Sequence, residues 1–536
     1  MRHCLPVATL ICLAVSAGTS AAQTPGPAAP TDRTSFKAEP PRFADPGRRA
    51  TLAQAFPDID AAVRAYITQQ HIPGAAWGIV IDGELAHLGV AGLRDVDKKS
   101  AVDADSVFRI ASMTKSFTAM AILALRDEGK LSLDEPAEKY VPELRDLVYP
   151  TTDAPRMTIR HLLSHATGFP EDNPWGDQQL SQTDEQLSAM IRRGIPFSNP
   201  PGVAYEYSNY GFAILGRIVT TVSGMPYRQY VKQRVLQPLG MTSTTLEPAD
   251  VAPDRLAHGY RWEDERWKEE AQLPDGSFGS MGGMLTSIRD LTRYVAAYLD
   301  AWPPRDGQET GPIRRSSLRE MQQVWRPRPA TATRSAGGAI QLNAGGYAYG
   351  LGITQTCQFG LSVSHTGGLP GFGSLMRWLP EYGVGIIMFG NRTYTGWGGV
   401  AETSLQRLAQ TGGLQPRVIQ PSPALRDAKD AASRLVSAWD DGLVEKMAAV
   451  NLFLDRSKDR RRAELDALRA TVGACRADEA FEYTENPLRG EWLLRCDRGT
   501  LRAAVTLAPT APPAVQYFEV RQVPANEGPR HQTCTP

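Results

Sequence analysis

Strand-like and helix-like patterning are spread unevenly along this chain, and that distribution limits the fold more than any single motif. Two apolar runs, Ala76-Trp77-Gly78-Ile79-Val80-Ile81 and Leu85-Ala86-His87-Leu88-Gly89-Val90, flank Asp82-Gly83. Asp-Gly between apolar runs predicts a hairpin, because both turn residues must accept positive φ. Strand patterns return at Tyr347–Thr354, Leu361–Thr366, Ser374–Leu379 and Val384–Phe389, the last two joined by Pro380-Glu381-Tyr382-Gly383. Residues 52–70 show helical periodicity, and 112–180 and 182–245 read as helices with loops. The expected fold class is α/β: one antiparallel sheet assembled from distant pieces, flanked by helices, with a helical lobe inserted between its halves.

The chain has 536 residues, enough for two or three domains. Arg2 and His3, the apolar run Leu5–Val15 and the small residues Ser16–Ala22 read as an export signal over 1–22, too short to span a bilayer. Residues 23–51, rich in Pro, Ala, Thr and charge, read as a disordered leader. The main domain is expected over 52–411. A Gly- and Pro-rich linker follows at 412–424, then an accessory α+β domain over 425–536. In that last unit helices are expected near 425–448 and 457–473, and strands near 490–496, 500–507 and 515–521.

Export implies a periplasmic or secreted protein in an oxidising compartment, so Cys357, Cys475, Cys496 and Cys534 can pair. Four cysteines allow three pairings; Cys475 with Cys496 is favoured because the two flank a compact stretch. The 58 basic and 58 acidic residues cancel, which leaves no net field to attract nucleic acid or an anionic membrane. The expected partner is a small-molecule or peptide substrate. No segment past the signal reads as a membrane span, and nothing specifies the oligomeric state.

Three stretches carry chemistry. In Arg109-Ile110-Ala111-Ser112-Met113-Thr114-Lys115 a serine and a lysine lie three apart at the head of an apolar helix, close enough to touch. Burial and the positive helix end both lower the lysine pKa, so that a neutral amine can take the hydroxyl proton. Backbone N–H groups there also suit an oxyanion. In Tyr205-Glu206-Tyr207-Ser208-Asn209, Tyr207 and Asn209 project to one side of an extended segment; a phenol can relay a proton and a carboxamide can hold an amine and a carbonyl together. Asn209 also suits the N-cap of a helix running from Gly211. In Ser364-His365-Thr366-Gly367-Gly368, glycines leave a strand edge open for a substrate backbone, and His365 can donate to a substrate carboxylate or polarise Tyr207.

Together, in this order and spacing, these stretches resemble the serine β-lactamase and penicillin-binding-protein superfamily, and more closely its class C β-lactamase-like branch. Thr158–Gly168 and Pro201–Gly216 support the resemblance, which covers about residues 52–410. It implies an acyl-enzyme on Ser112, with Lys115 and Tyr207 sharing its proton, Asn209 positioning substrate and lysine, and the N–H groups of Ser112 and Gly368 forming an oxyanion hole. Gly367 belongs to the same substrate-binding strand. His365 stands where those families place a lysine; His-x-Gly resembles their esterase and peptidase members and points away from efficient β-lactam hydrolysis.

The expectation is a serine hydrolase without cofactor or metal, acting on small esters, amides or D-amino-acid-containing peptides. The alternatives are β-lactamase or penicillin-binding activity, or a non-catalytic binding protein that keeps the pocket. His161 and His165 are spaced for one helix face, but Leu162 stands where a zinc peptidase has Glu. Ser287-Ile288-Arg289-Asp290 reads as a capping box. The run from Arg456 to Arg462 reads as a solvated helix face, and Asn391-Arg392-Thr393 fits a glycosylation sequon.

Overall fold

A strand covered on both faces should read as an unbroken apolar run, not as an alternation. β1 (Gly74–Ile81) is buried at every position and is an interior strand of a large sheet. It turns through Asp82 and Gly83, both at positive φ, into β2 (Glu84–Asp95), as Asp-Gly predicts. The computed structural model describes residues 36–334, 340–524 and 527. The export signal, the leader up to residue 35 and Cys534 lie outside the described residues.

The sheet adds β3 (Ser100–Ala101), β4 (Arg326–Pro327), β5 (Thr331–Arg334), β6 (Ile340–Tyr347), β7 (Gly352–Thr356), β8 (Gly360–Leu369), β9 (Phe372–Leu379) and β10 (Val384–Gly390). Its order is β3-β2-β1-β10-β9-β8-β7-β6-β4, with β5 paired to β6, and every pairing is antiparallel. The two distant halves meet where β1 pairs β10, from Ala75 opposite Gly390 to Ile81 opposite Val384. The strand expected over Tyr347–Thr354 is in fact the end of β6, a turn through Ala348–Leu351 and the start of β7. Gly350, at φ 67°, makes that turn.

Each face of the sheet has its own core. Trp77, Ile79, Ile81, Leu375, Ile386 and Met388 pack with α2 (Phe56–Gln69) and α8 (Gly398–Gln410). Val80, Met376, Trp378, Ile387 and Phe389 pack on the other face with α3 (Thr114–Asp127), α6 (Asn209–Ser223) and α7 (Ile288–Asp300). Those last helices, with the short α4 (Ile159–Leu163) and α5 (Asp184–Arg192), make the inserted lobe. Each fully buried large aliphatic side chain contributes about 1.5–3 kcal/mol, so these cores hold together strands that are far apart in the chain.

Ordered chain starts ahead of Leu52. Arg42 bridges Val418, and α1 (Arg48–Ala53) buries Arg48, which binds both oxygens of Asp82 at 2.7 and 2.8 Å. The Gly/Pro-rich stretch near 412–424 is also packed: Leu414 is buried in the first core.

The described residues divide into two compact units, Pro40–Gln420 and the chain from Pro421 on. The second has α9 (Pro423–Ser437), α10 (Asp441–Met447), α11 (Lys458–Val472) and a sheet of β11 (Cys475–Ala477), β12 (Tyr483–Asn486), β13 (Arg489–Cys496), β14 (Gly499–Leu507) and β15 (Val515–Gln522). The helix expected over 425–448 is two, because the Asp440 side chain accepts the Leu443 N–H and starts a new one. Cys475 and Cys496 face each other across β11 and β13 and are disulfide-bonded; Cys357 is disulfide-bonded as well. Arg461 departs from the expected solvated face: it is buried, with its guanidinium on Asp455 and the Phe518 carbonyl. Asn391 of the sequon is fully buried, bonded to Gly74 N–H and to the Leu93 and His258 carbonyls.

Candidate active site

α3 is buried from Thr114 through Leu125, the property of a helix threaded through a core. Ser112 lies in the single 3₁₀ turn Ala111–Met113 that leads into it. Ala111 takes φ 49°, a region alanine seldom occupies. Thr114 Oγ1 holds it there, donating to the Ala111 carbonyl at 2.6 Å and accepting the Met284 N–H at 3.1 Å. The Ile110 N–H is fixed on the Met284 carbonyl at 2.9 Å. Strain at one residue is thus over-determined by its neighbours, and it aims the serine beside it.

Lys115 is fully buried one turn on. Its Nζ lies 3.1 Å from Ser112 Oγ, 2.6 Å from Asn209 Oδ1 and 2.8 Å from the Met281 carbonyl oxygen. Burial pushes its pKa down to about 7, against the pull of Asp172 and Asp177. A neutral amine has two N–H bonds and one lone pair. Asn209 Oδ1 and the Met281 carbonyl oxygen can only accept, so they take both N–H groups and leave the lone pair directed at the serine hydroxyl. This arrangement can remove the Ser112 proton.

The Tyr207 ring lies 4.8 Å from Lys115 Nζ, and the Ser112 hydroxyl favours the ionised form of its phenol. Burial raises its pKa well above 10. The phenol therefore stays neutral, a group that can relay a proton and not a resident phenolate. Ser208 is the N-cap of α6, accepting the Gly211 N–H at 3.1 Å; the helix begins at Asn209, two residues earlier than expected. With capping done by Ser208, the Asn209 carboxamide is free to reach Lys115, and its Nδ2 donates to Asn173 Oδ1 at 2.6 Å.

β8 supplies the far wall. Its pairing with β7 ends at Ser364, so His365–Leu369 forms a sheet edge free of a neighbouring strand among the described residues. A Cβ on Gly367 would lie 2.1 Å from the Ile110 carbonyl oxygen, so only glycine lets this edge approach the Ser112 turn. Ser374, opposite Gly367, donates to the same carbonyl at 2.8 Å. Gly368 lies against the Tyr394 ring.

His365 is buried, with Nδ1 donating to the Thr366 carbonyl at 2.6 Å and Nε2 accepting from the Tyr347 hydroxyl at 2.9 Å. Burial, with Lys115 and Arg328 adding to it, pulls its pKa down to about 3. It is a neutral imidazole with both nitrogens committed inside the protein, and neither reaches Tyr207. His161 and His165 do not share a face: His161 Nδ1 accepts the Thr158 N–H in a capping box, whereas His165 lies past the end of α4, accepts the Ser208 N–H at 3.1 Å and packs on the Tyr207 and Tyr347 rings.

The β-lactamase family model matches residues 59–411. The chain belongs to the β-lactamase family. This β-lactamase-family chain is similar to a protein named β-lactamase from Lysobacter lactamgenus, at 30% identity over 65% of this chain and 89% of that one. It is also similar to protein flp of Staphylococcus aureus strain COL, at 29% identity over 62% of each. The octameric penicillin-binding protein homologue from Pyrococcus abyssi superposes with a TM-score of 0.56 at 21% identity, over 84% of this chain and 96% of that one, which speaks to the fold. The family makes the chain a serine hydrolase related to the β-lactamases.

Sequence reasoning missed several groups of this β-lactamase-family site. Asp172 takes the Asn209 and Tyr210 N–H groups at 2.7 and 2.8 Å and so anchors the start of α6. Asp177 is buried and accepts from the Tyr394 hydroxyl at 2.8 Å. Burial raises both carboxyl pKa values. The segment Glu171-Asp172-Asn173-Pro174 offers only a turn signal, and Met281 acts through a carbonyl that no motif reveals.

Proposed function

We propose that this chain is an exported serine hydrolase of the class C-like branch that forms an acyl-enzyme on Ser112 and acts on small esters, amides or D-amino-acid-containing peptides. The observation that carries the reading is the Lys115 amine, fully buried, 3.1 Å from Ser112 Oγ and with both its N–H groups engaged elsewhere. In the first half-reaction Lys115 takes the Ser112 proton and Oγ bonds to the carbonyl carbon. The resulting oxyanion faces the N–H groups of Ser112 and Gly368. The C–O or C–N bond breaks, and the leaving group takes the proton back through Tyr207. Water then gives a proton to Lys115, its oxygen attacks the acyl carbon, the acid is released, and Ser112 recovers its proton.

Substrate class turns on β8. A neutral His365 offers no ammonium for a penicillin-type carboxylate, which favours ester and peptide substrates. β-Lactam hydrolysis is the second reading, favoured by the relative named β-lactamase. The Cys475–Cys496 disulfide supports export to an oxidising compartment. A fluorophosphonate probe is expected to label the native protein and not Ser112→Ala. A turnover screen of p-nitrophenyl esters, D-aminoacyl anilides and a chromogenic cephalosporin then sets the class. Equal labelling of both proteins removes the nucleophile; cephalosporin turnover faster than ester turnover removes the substrate reading.

A further inference from the structure

The segment that carries Asp172 and Asn173 also walls a cavity of about 360 Å³. Asp172 and Ser208 line it; Ser112 and Lys115 do not. Phe169, Trp175, Met190 and Ile195 give it apolar walls; Asp172 and Glu171 can only accept, and the side chains with donors to spare are Tyr210 and Arg193. Tyr210 is 7% exposed and its hydroxyl has no hydrogen-bond partner. A buried hydroxyl left in that state is costly, and folded chains rarely leave one.

The other polar groups are committed. Asp172 is taken by backbone N–H groups, Ser208 caps α6, and Glu171 accepts the Asn173 N–H at 3.3 Å. Arg193, at the end of α5, has no acid partner among the described residues. It lines the same cavity as the orphaned Tyr210 hydroxyl. The Trp175 ring lies parallel to that of Tyr210, 6.1 Å away, and is partly open to solvent. The volume is at the small end for ligand pockets, so the occupant is compact.

We propose that this cavity binds a small carboxylic acid with an aromatic or branched apolar body, its carboxylate held by Arg193 and the Tyr210 hydroxyl. The apolar walls take the body, and the two spare donors match the two lone-pair sets of one carboxylate. Acids of this class are what hydrolysis of an ester or amide with an aromatic or branched acyl group releases. The site's wall also reaches the catalytic groups: Asp172 anchors the Asn209 backbone, and Asn173 accepts from the Asn209 side chain. Occupancy is therefore felt at Asn209, without the ligand touching Ser112.

The test uses phenylacetate as probe, titrated calorimetrically and by tryptophan fluorescence into the full chain, the Ser112→Ala protein and fluorophosphonate-labelled enzyme. Saturable binding is expected in all three. Arg193→Gln and Tyr210→Phe are each expected to weaken it about tenfold, the scale of one charge-assisted hydrogen bond, and phenylacetamide is expected to bind more weakly than phenylacetate. Unchanged thermal unfolding and ester turnover without ligand certify that the variants fold. The proposal is overturned by loss of binding in the labelled enzyme, which would put phenylacetate in the Ser112 cleft. Unchanged affinity in both variants, or no saturation at all, overturns it too. None of these results bears on whether the probe labels Ser112.

Discussion

If neutral Lys115 is the base, kcat/KM must rise with pH along a limb set by the lysine in the free enzyme. Burial takes this group from 10.5 to about 7, so the protonated form is disfavoured by roughly 5 kcal/mol at about 1.36 kcal/mol per unit. Two pH units below the midpoint about one molecule in a hundred has the free amine, so ester turnover at pH 5 should be about a hundredfold below its plateau. The limb should also respond to the acids facing the amine. Asp172, Asp177, Tyr207, His165 and His365 surround it, and of these only the two carboxylates favour the ammonium. Asp177→Asn removes one of them and keeps the shape. It should move the limb to lower pH by about half a unit, ~0.7 kcal/mol. Tyr394→Phe takes away the hydrogen bond that keeps Asp177 ionised, and should move the limb the same way by less. The assay is p-nitrophenyl acetate hydrolysis from pH 5 to 10 with the spontaneous rate subtracted. A rate that keeps climbing to pH 10 would mean the lysine is not desolvated. An upward shift in Asp177→Asn would mean that the carboxylate does not act on it.

The same lysine gives stability a pH dependence of fixed sign. The unfolded chain keeps it protonated up to about 10.5 and the folded chain only up to about 7, so unfolding takes up a proton between those values and stability rises with pH across that window. Urea midpoints of the native protein relative to Lys115→Met should diverge there and run parallel below about pH 6. Gly367→Ala should cost several kcal/mol or displace β8, since its Cβ would meet the Ile110 carbonyl oxygen at 2.1 Å; thermal unfolding and fluorophosphonate labelling should both report the loss. Cys475→Ser opens a covalent loop with a sequence separation of 21, and should lower the stability of the second unit by about 3 kcal/mol, read as a lower denaturant midpoint in circular dichroism.

The hairpin at Asp82-Gly83 was legible because positive φ at both turn residues leaves a mark in composition. The hairpin Tyr260–Glu263 with Arg266–Glu269 was not: its turn residues Asp264 and Glu265 also take positive φ, but no glycine announces them. β1 and β10 were visible as unbroken apolar runs, since helices cover both faces. β6 and β7 merged into one predicted strand because Ala348, Tyr349 and Leu351 in the turn between them are buried, so apolarity runs straight through it. At the site, residue types with a chemical signature were found: serine, lysine, tyrosine, the glycines of β8. His365 was found too, but its environment was not readable, because the Tyr347 hydroxyl that occupies its Nε2 comes from a different strand. The Met281 carbonyl and the carboxylates of Asp172 and Asp177 enter through tertiary packing alone, and no spacing in the chain encodes them.

The pairing of β1 with β10 also sets an order of events in time. Ser112 and Lys115 leave the ribosome early, yet β1 finds its central partner only once Val384–Gly390 has emerged, and Gly367 and Gly368 arrive barely sooner. Closing so long a loop is the slow, late step of such a topology. A chain interrupted between α3 and β8 holds Ser112 and Lys115 but no opposite wall, so on the proposed mechanism such a truncated product is expected to be hydrolytically silent. On that reading, acyl transfer reports a chain translated through β10 and folded around it.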